Sequence, residues 1–241
     1  MARWKKAVIE EINRISPTTQ TFILKIESED PFTFKAGQFI TMDLPIGEKR
    51  LDRWRSYSVS SAPSVNNRLE LCIVEVENGK ASRYLFHEAQ VGTELKIKGP
   101  GGTFYLPEVL NKPSVFVCTG TGVAPFASML LELKSRSAFD QPVHLIFGTR
   151  TEDGILYRSF FEELAASEPK FTYDICLSRA DESWKGHRGY VHEVYEQIYA
   201  SQADQVNYYL CGWSNMVDQA IDILKNKMQV PTANIFHELY G

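Results

Sequence analysis

A change of pattern near Pro107–Pro113 constrains the fold of this 241-residue chain more than any other feature. Before it, short segments that alternate apolar and polar residues, or are rich in β-branched ones, recur at Ala7–Asn13, Thr21–Ile26, Phe39–Asp43, Tyr57–Ser60, Leu69–Glu75 and Glu94–Lys98. Turn formers separate them: Pro17, Gly37, Pro45-Ile46-Gly47, Pro63, Asn66-Asn67, Gly79 and Gly99-Pro100-Gly101-Gly102. A period of two with frequent breaks predicts an antiparallel barrel or sandwich, interrupted by one helical window at Ser82–Glu88. After the change, strand-like runs at Val115–Cys118, Val143–Phe147, Tyr173–Leu177 and Tyr208–Cys211 alternate with helical windows at Pro125–Arg136, Tyr157–Ser167, Val191–Ala200 and Asn215–Met228. That alternation predicts a parallel sheet covered on both faces. Two domains are therefore expected, residues 1–107 and residues 113–241. Charge divides in the same place, with 15 Lys and Arg against 14 Asp and Glu in residues 1–110, and 11 against 16 in residues 111–241.

Composition excludes several classes. A formal net charge of −4 and the lack of any long Lys/Arg run argue against a general nucleic-acid binder. No apolar run approaches membrane-spanning length, and Glu10 and Glu11 interrupt the only early apolar stretch, so neither insertion nor a signal-peptide core is expected. Cys72, Cys118, Cys176 and Cys211 lie far apart with no Cys-x-x-Cys. They read as thiols of a reducing, cytoplasmic compartment. The same spacing excludes a ferredoxin-type iron–sulfur cluster, and no zinc-ligand spacing appears, so no metal is expected. A monomer is expected.

Three short motifs carry chemistry. On a strand, Arg55 and Tyr57 share one face and Ser56 and Ser58 the other. They offer a guanidinium for a pyrophosphate, a ring to stack on a flat heteroaromatic, and hydroxyls for a ring nitrogen. Gly79-Lys80-Ala81-Ser82 opens the only helical window of its half; it reads either as a phosphate seat or as an ordinary helix start capped by Ser82. Thr119-Gly120-Thr121-Gly122 follows a predicted strand and precedes a predicted helix, where ligands of parallel sheets bind. Pro125 replaces the third glycine of the full dinucleotide fingerprint and is tolerated in the first helical turn.

These motifs occur in a recognisable order with two others, Gly99-Pro100-Gly101-Gly102-Thr103-Phe104 and Cys211-Gly212-x-x-x-Met216. Together they resemble the ferredoxin–NADP reductase superfamily, in a stand-alone form without an iron–sulfur domain. The resemblance implies an N-terminal Greek-key β-barrel carrying FAD and a Rossmann-like α/β domain carrying NAD(P)H, with the two cofactors exchanging a hydride. It places Arg55 and Ser56 at the FAD pyrophosphate motif, Tyr57 against the isoalloxazine and Ser58 beside its reactive nitrogen. Gly79, Lys80, Ala81 and Ser82 would complete the pyrophosphate seat, and Thr119 would touch the flavin. Ile73, Val74 and Glu75 fall where relatives line the flavin, with barrel core the other reading for Ile73 and Val74. Gly120, Thr121, Gly122 and Pro125 would meet the pyridine nucleotide. Cys211, followed by Gly212 and Met216, falls beside the reacting nicotinamide carbon; the other reading is a small buried residue.

Arg150, Ser178 and Arg179 end predicted strands where NADPH-using relatives hold the 2′-phosphate, which favours NADP(H) over NAD(H); the other reading is solvated arginines at a sheet edge. One departure stands out, since where some relatives place an arginine directly after the glycine at Gly186, this chain has His187, with Arg188 one position later. In the closing segment, Glu238 would lie near the nicotinamide and Tyr240 would cover the flavin. Ser58, Cys211 and Glu238 are thus the implied catalytic residues. The implied activity is electron transfer from NAD(P)H through FAD to a small acidic carrier, ferredoxin or flavodoxin, steered by Lys49, Arg50 and Arg53. A flavin reductase using a diffusing flavin, or a stand-alone oxygenase reductase component, stays open as the alternative.

Overall fold

Among the described residues, which run from Arg3 to Tyr240 in this computed structural model, the strands form two six-stranded sheets. The chain divides into two units, one holding the residues up to Tyr105 with Ala124–Glu132, the other holding Leu106–Val123 and the residues from Leu133 onward.

The first sheet comprises β1 (Lys5–Ser16), β2 (Thr19–Glu27), β3 (Phe39–Asp43), β4 (Trp54–Ser58), β5 (Arg68–Val74) and β6 (Glu94–Gly101). Its order is β4-β3-β6-β1-β2-β5, and the pairings are antiparallel. The outer strands meet: Val59 bridges Leu71 and the Ser60 N–H donates to the Glu70 carbonyl at 2.8 Å. This closes the sheet into a barrel and leaves no long free edge. The period-two pattern decides what lies inside. On β3, Ile40 and Met42 are fully buried while their neighbours are half-buried, and the core they join includes Ala7, Ile9, Leu24, Ile26, Leu71 and Ile97. A short helix α1 (Arg50–Arg53) joins β3 to β4, and Arg53 binds Asp43 bidentately at 2.7 and 2.6 Å. The predicted helical window is α2 (Lys80–His87). Of the Ala124–Glu132 segment, Phe126 packs edge-on against Phe104 at 5.7 Å and Ser128 donates to the Ser61 carbonyl at 2.6 Å.

The second sheet comprises β7 (Ser114–Thr119), β8 (Val143–Thr149), β9 (Phe171–Leu177), β10 (His187–Arg188), β11 (Asn207–Trp213) and β12 (Ile235–Tyr240). Its order is β10-β9-β8-β7-β11-β12 and its pairings are parallel. Val115–Cys118 and Val143–Phe147 are continuously buried, as strands covered on both faces must be. Helices α3 (Ala124–Arg136), α4 (Arg158–Ser167), α5 (Val191–Tyr199) and α6 (Ser214–Asp222) follow the strands, and α6 continues as a π turn over Ile223–Lys227. The sequence pattern had no place for β10 or β12. The two-residue β10 is too short to show a period, and β12 is an edge strand with no buried residue and no strict alternation, Phe236 and His237 both being exposed. A stacked Tyr209–Phe236 pair, 4.6 Å between centroids, holds β12 to β11.

One polar group lies deep in this unit. The His144 ring is buried, with Nδ1 2.9 Å from the Tyr199 hydroxyl and Nε2 3.0 Å from Asp174 Oδ2. The hydrogen bond from His144 is the largest cause holding the Asp174 carboxyl below its ordinary range, with the charge of His144 and His187 adding to it. The native carboxylate therefore binds its proton more weakly than the unfolded one. Its contribution to stability is complete above the unfolded value, about 3.9, and is lost as pH falls below that. Asp174→Asn should accordingly flatten the loss of stability between about pH 5 and pH 2, read from urea midpoints across that range.

Candidate functional site

Parallel strands put their carboxyl ends along one sheet edge, and that edge gathers the residues predicted for the pyridine nucleotide. β7 ends at Thr119, β8 at Thr149 followed by Arg150, β9 at Leu177 followed by Ser178 and Arg179, and β11 runs through Cys211, Gly212 and Trp213. After β7 the chain turns through a 3₁₀ segment, Gly120–Val123, straight into α3, with Pro125 in the first turn. Gly120 adopts φ +53° and has no atom within 4 Å of where a Cβ would stand, so the turn is open above it. Gly122 is the reverse case. A Cβ there would lie 2.4 Å from the Cys211 carbonyl oxygen and 2.6 Å from Gly212 Cα, so the turn rests backbone-on-backbone against β11. Thr121 lies between them.

Beside this turn, the Thr119 hydroxyl oxygen is buried without a hydrogen-bond partner. Leaving such a group unsatisfied costs about 1–3 kcal/mol, which a ligand atom would recover. Gly212 faces it: a Cβ on Gly212 would come within 2.6 Å of that oxygen and 3.0 Å of Met216 Cε. Cys211 is fully buried and sits in register between Cys118 of β7 and Glu238 of β12. Burial pushes its thiol well above the ordinary range, the Glu238 charge adds to that, and a hydrogen bond with the Tyr240 side chain opposes it. The thiol is therefore neutral at physiological pH, suited to alignment and contact rather than to nucleophilic attack. Thr119, Gly120, Gly122, Cys211, Gly212, Met216, Glu238 and Tyr240 are thus one neighbourhood.

A second neighbourhood lies at the ends of β8 and β9. The Ser178 N–H donates to the Thr149 carbonyl at 3.0 Å and the Arg179 N–H to the Arg150 carbonyl at 2.8 Å. Both arginines are exposed, and among the described residues neither guanidinium has an ion-pair or hydrogen-bond partner. Arg188, which sequence order places near them, is engaged elsewhere: its guanidinium donates to the carbonyls of Ala180, Asp181 and Trp184.

In the first unit the flavin-motif residues lie on β4 and α2. Tyr57 packs against the barrel core, and burial raises its hydroxyl to about 12 while the charge of Arg55 lowers it in part. Arg55 donates through Nη1 to the carbonyls of Leu51 and Trp54, at 3.1 and 2.8 Å. Ser58 is buried, whereas Ser56 is exposed and pairs with Thr41 at 3.0 Å. Gly79 caps α2 and no side chain caps it, so the N–H groups of Lys80 and Ala81 have no intrahelical acceptor. That uncapped turn fits a pyrophosphate. The Ser82 hydroxyl is used locally, bonded to the Val76 N–H and to the Val76 and Gly79 carbonyls. Ile73 is in the barrel core, Val74 is half-buried, and the Glu75 carboxylate pairs with His87.

The four cysteines are buried and form no disulfide, and no cluster of metal-ligating residues exists among the described residues. Nor is any described helix long and apolar enough to cross a membrane.

A closed antiparallel barrel with an uncapped helix start, and a parallel sheet with a glycine turn at its carboxyl edge, define a flavin- and pyridine-nucleotide-dependent oxidoreductase. Comparison with known proteins gives the family. Residues 6–105 match the oxidoreductase FAD-binding domain and residues 116–222 the oxidoreductase NAD-binding domain. The chain is 33% identical to ferredoxin–NADP reductase B of Sorangium cellulosum over 98% of its own length and 97% of that protein's. It is 31% identical to the anthranilate 1,2-dioxygenase electron transfer component of Acinetobacter baylyi, covering 97% of itself but 66% of that relative. A ferredoxin–NADP⁺ reductase from Neisseria gonorrhoeae, solved with FAD and NADP, superposes with a TM-score of 0.81 at 27% identity, covering 99% of each chain. The chain belongs to the ferredoxin–NADP reductase family.

The seat of Gly122 on β11 leaves no room for a side chain. Gly122→Ala should cost about 1–3 kcal/mol of stability by overpacking, measured by urea unfolding, because backbone and not a flexible side chain stands in the way.

Proposed function

We propose that this chain holds FAD on residues 1–107 and NADPH on residues 113–241, and passes electrons from NADPH to a separate acidic one-electron carrier, a ferredoxin or flavodoxin. The observation that carries this reading is the pair of unpartnered arginines, Arg150 and Arg179, tied at adjacent strand ends beside Ser178. Two guanidinium groups and a hydroxyl match the charge and acceptor oxygens of a 2′-phosphate. Full-length similarity to a ferredoxin–NADP reductase supports the same reading.

FAD, when bound, supplies the conversion of a two-electron hydride donor into single electrons. The protein's part is to hold and align. Arg55 and the N–H groups of Lys80 and Ala81 hold the pyrophosphate, Tyr57 lies against the isoalloxazine, and Ser58 offers a hydroxyl at its reactive nitrogen. Thr119 donates to the ligand that satisfies its buried oxygen, and the neutral Cys211 thiol packs against the nicotinamide ring with Glu238 behind it. Lys49 and Arg50 are the cations left to steer an acidic carrier, because Arg53 is consumed by Asp43. The protein works in the cytoplasm as a monomer.

The test is an absorbance spectrum of the purified protein, titrated without oxygen with NADPH, then NADH, then ferredoxin. A yellow protein bleached at lower NADPH than NADH, and reoxidised by ferredoxin with a rate that falls as salt is added, is expected. A colourless protein that consumes NADPH only with added flavin would instead assign a flavin reductase. The residues divide by role: Arg55→Ala should yield protein largely stripped of FAD. Cys211→Ala should keep its colour while stopped-flow flavin reduction slows about 10- to 100-fold, a loss of alignment rather than of binding.

A further inference from the structure

Arg188 sits on the two-residue strand β10, and its side chain reaches back across the loop that leaves Arg179. It donates to three carbonyls of that loop: Ala180 at 3.4 Å, Asp181 at 2.6 Å and Trp184 at 3.1 Å. The loop is knotted further at its own turn. Asp181 Oδ1 accepts from the Ser183 N–H and hydroxyl at 2.9 and 2.6 Å, and those bonds hold its carboxyl below the ordinary range. Trp184 Nε1 donates to the His187 carbonyl at 3.1 Å, and the Arg158 guanidinium lies 5.9 Å from the Trp184 ring. The hydrogen bonds of Arg188 all go to backbone oxygens, and the Asp181 carboxylate adds only the attraction of opposite charge. A planar fork with several fixed donors can gather three carbonyls at once; an ammonium cannot do so with the same geometry.

The loop matters because of where it starts. Its first residue follows Arg179, whose backbone is bonded to Arg150 on the neighbouring strand end. From these contacts we infer that Arg188 is a positioning residue for coenzyme discrimination. By clasping Ala180, Asp181 and Trp184 it fixes the chain immediately after Arg179, and so holds Arg179 and Arg150 ready for a 2′-phosphate that Arg188 itself does not touch. The inference rests on the proposal that Arg150, Ser178 and Arg179 form that phosphate site. It assigns this chain's displaced arginine a role in organising the loop instead of in binding the anion.

The experiment compares wild type with R188A, R188K and R179A, using 2′,5′-ADP as the phosphate-bearing probe and 5′-AMP as the probe without it. Calorimetric dissociation constants are measured on the purified flavoprotein, alongside KM for NADPH and NADH. R188A and R188K should both weaken 2′,5′-ADP about tenfold and raise KM for NADPH by a similar factor, with 5′-AMP and NADH changed less than about twofold. Both variants should also be nicked faster by trypsin after the exposed Lys185, reporting the loosened loop. Wild-type 2′,5′-ADP affinity in R188K would show that only the charge counts and would overturn the clasp. Equal losses for both probes, or wild-type trypsin rates, would overturn it as well. R179A separates the two levels: if R179A weakens 2′,5′-ADP and the Arg188 variants do not, the clasp alone fails. If R179A leaves 2′,5′-ADP unchanged, the phosphate site itself fails and the clasp falls with it.

Discussion

The contact on which the carboxyl edge of the parallel sheet depends is a backbone resting on a backbone. β7 and β11 are neighbours in the parallel sheet, and the turn leaving β7 can lean on the end of β11 only because Gly122 has no Cβ. That single close approach fixes the entry of α3 and sets Thr119 beside Gly212. It also accounts for the orphaned Thr119 hydroxyl, since the residue opposite it is a glycine with no side chain to offer. Parallel topology then does the rest: strands that run the same way must end together, so residues spread over nearly a hundred positions meet along one edge.

The barrel works by a different constraint. Closure between β4 and β5 through Val59 and Leu71 leaves no exposed ladder, so side-chain alternation alone decides what each strand residue does. On β4 that alternation separates Arg55 and Tyr57 from Ser56, whose hydroxyl is spent on Thr41. On α2 the separation is between backbone and side chain. The Ser82 hydroxyl is absorbed by the preceding turn, so what the start of α2 presents is backbone N–H groups, which a sequence can only imply through Gly79.

Much of this was legible beforehand. The strands of the first sheet, β7, β8, β9 and β11 of the second, and every long helix follow from period and punctuation, because barrel strands with one wet face alternate while α/β strands buried on both sides run continuously apolar. The glycine turn and Pro125 mark the start of α3 for reasons local to the chain. What stayed hidden depends on distant residues. β10 exists because His187 and Arg188 find Cys176 and Leu177, and β12 because Phe236 stacks on Tyr209. The His144–Asp174 bond joins two strands whose polar residues look unremarkable in sequence. That Arg53, one of three neighbouring cations, pairs bidentately with Asp43 ten residues earlier depends on the pairing of β3 with β4 and was likewise hidden. Arg188 marks a departure from the family pattern in sequence; that it donates to three carbonyls of the preceding loop could not be read there.

The distribution of paired and unpaired cations gives these assignments their weight. Most arginines and lysines on this surface that lie near carboxylates have taken them: Lys6 holds Glu27 and Glu94, Arg68 holds Glu10, Arg158 holds Glu152 and Glu162, and Lys227 holds Glu196. Residues 111–241 carry 16 acidic side chains against 11 basic ones, so a carboxylate is the neighbour an arginine there would meet by default. Arg150 and Arg179 stand at adjacent strand ends without one. Both side chains are exposed at neighbouring strand ends, in a part of the chain whose net charge is negative. An arrangement of that kind is stabilised when an anion arrives, and its preference grows with the charge that anion brings. A phosphate dianion would gain from both guanidinium groups where a ribose hydroxyl would gain from neither charge, which is the physical basis of the coenzyme preference proposed above.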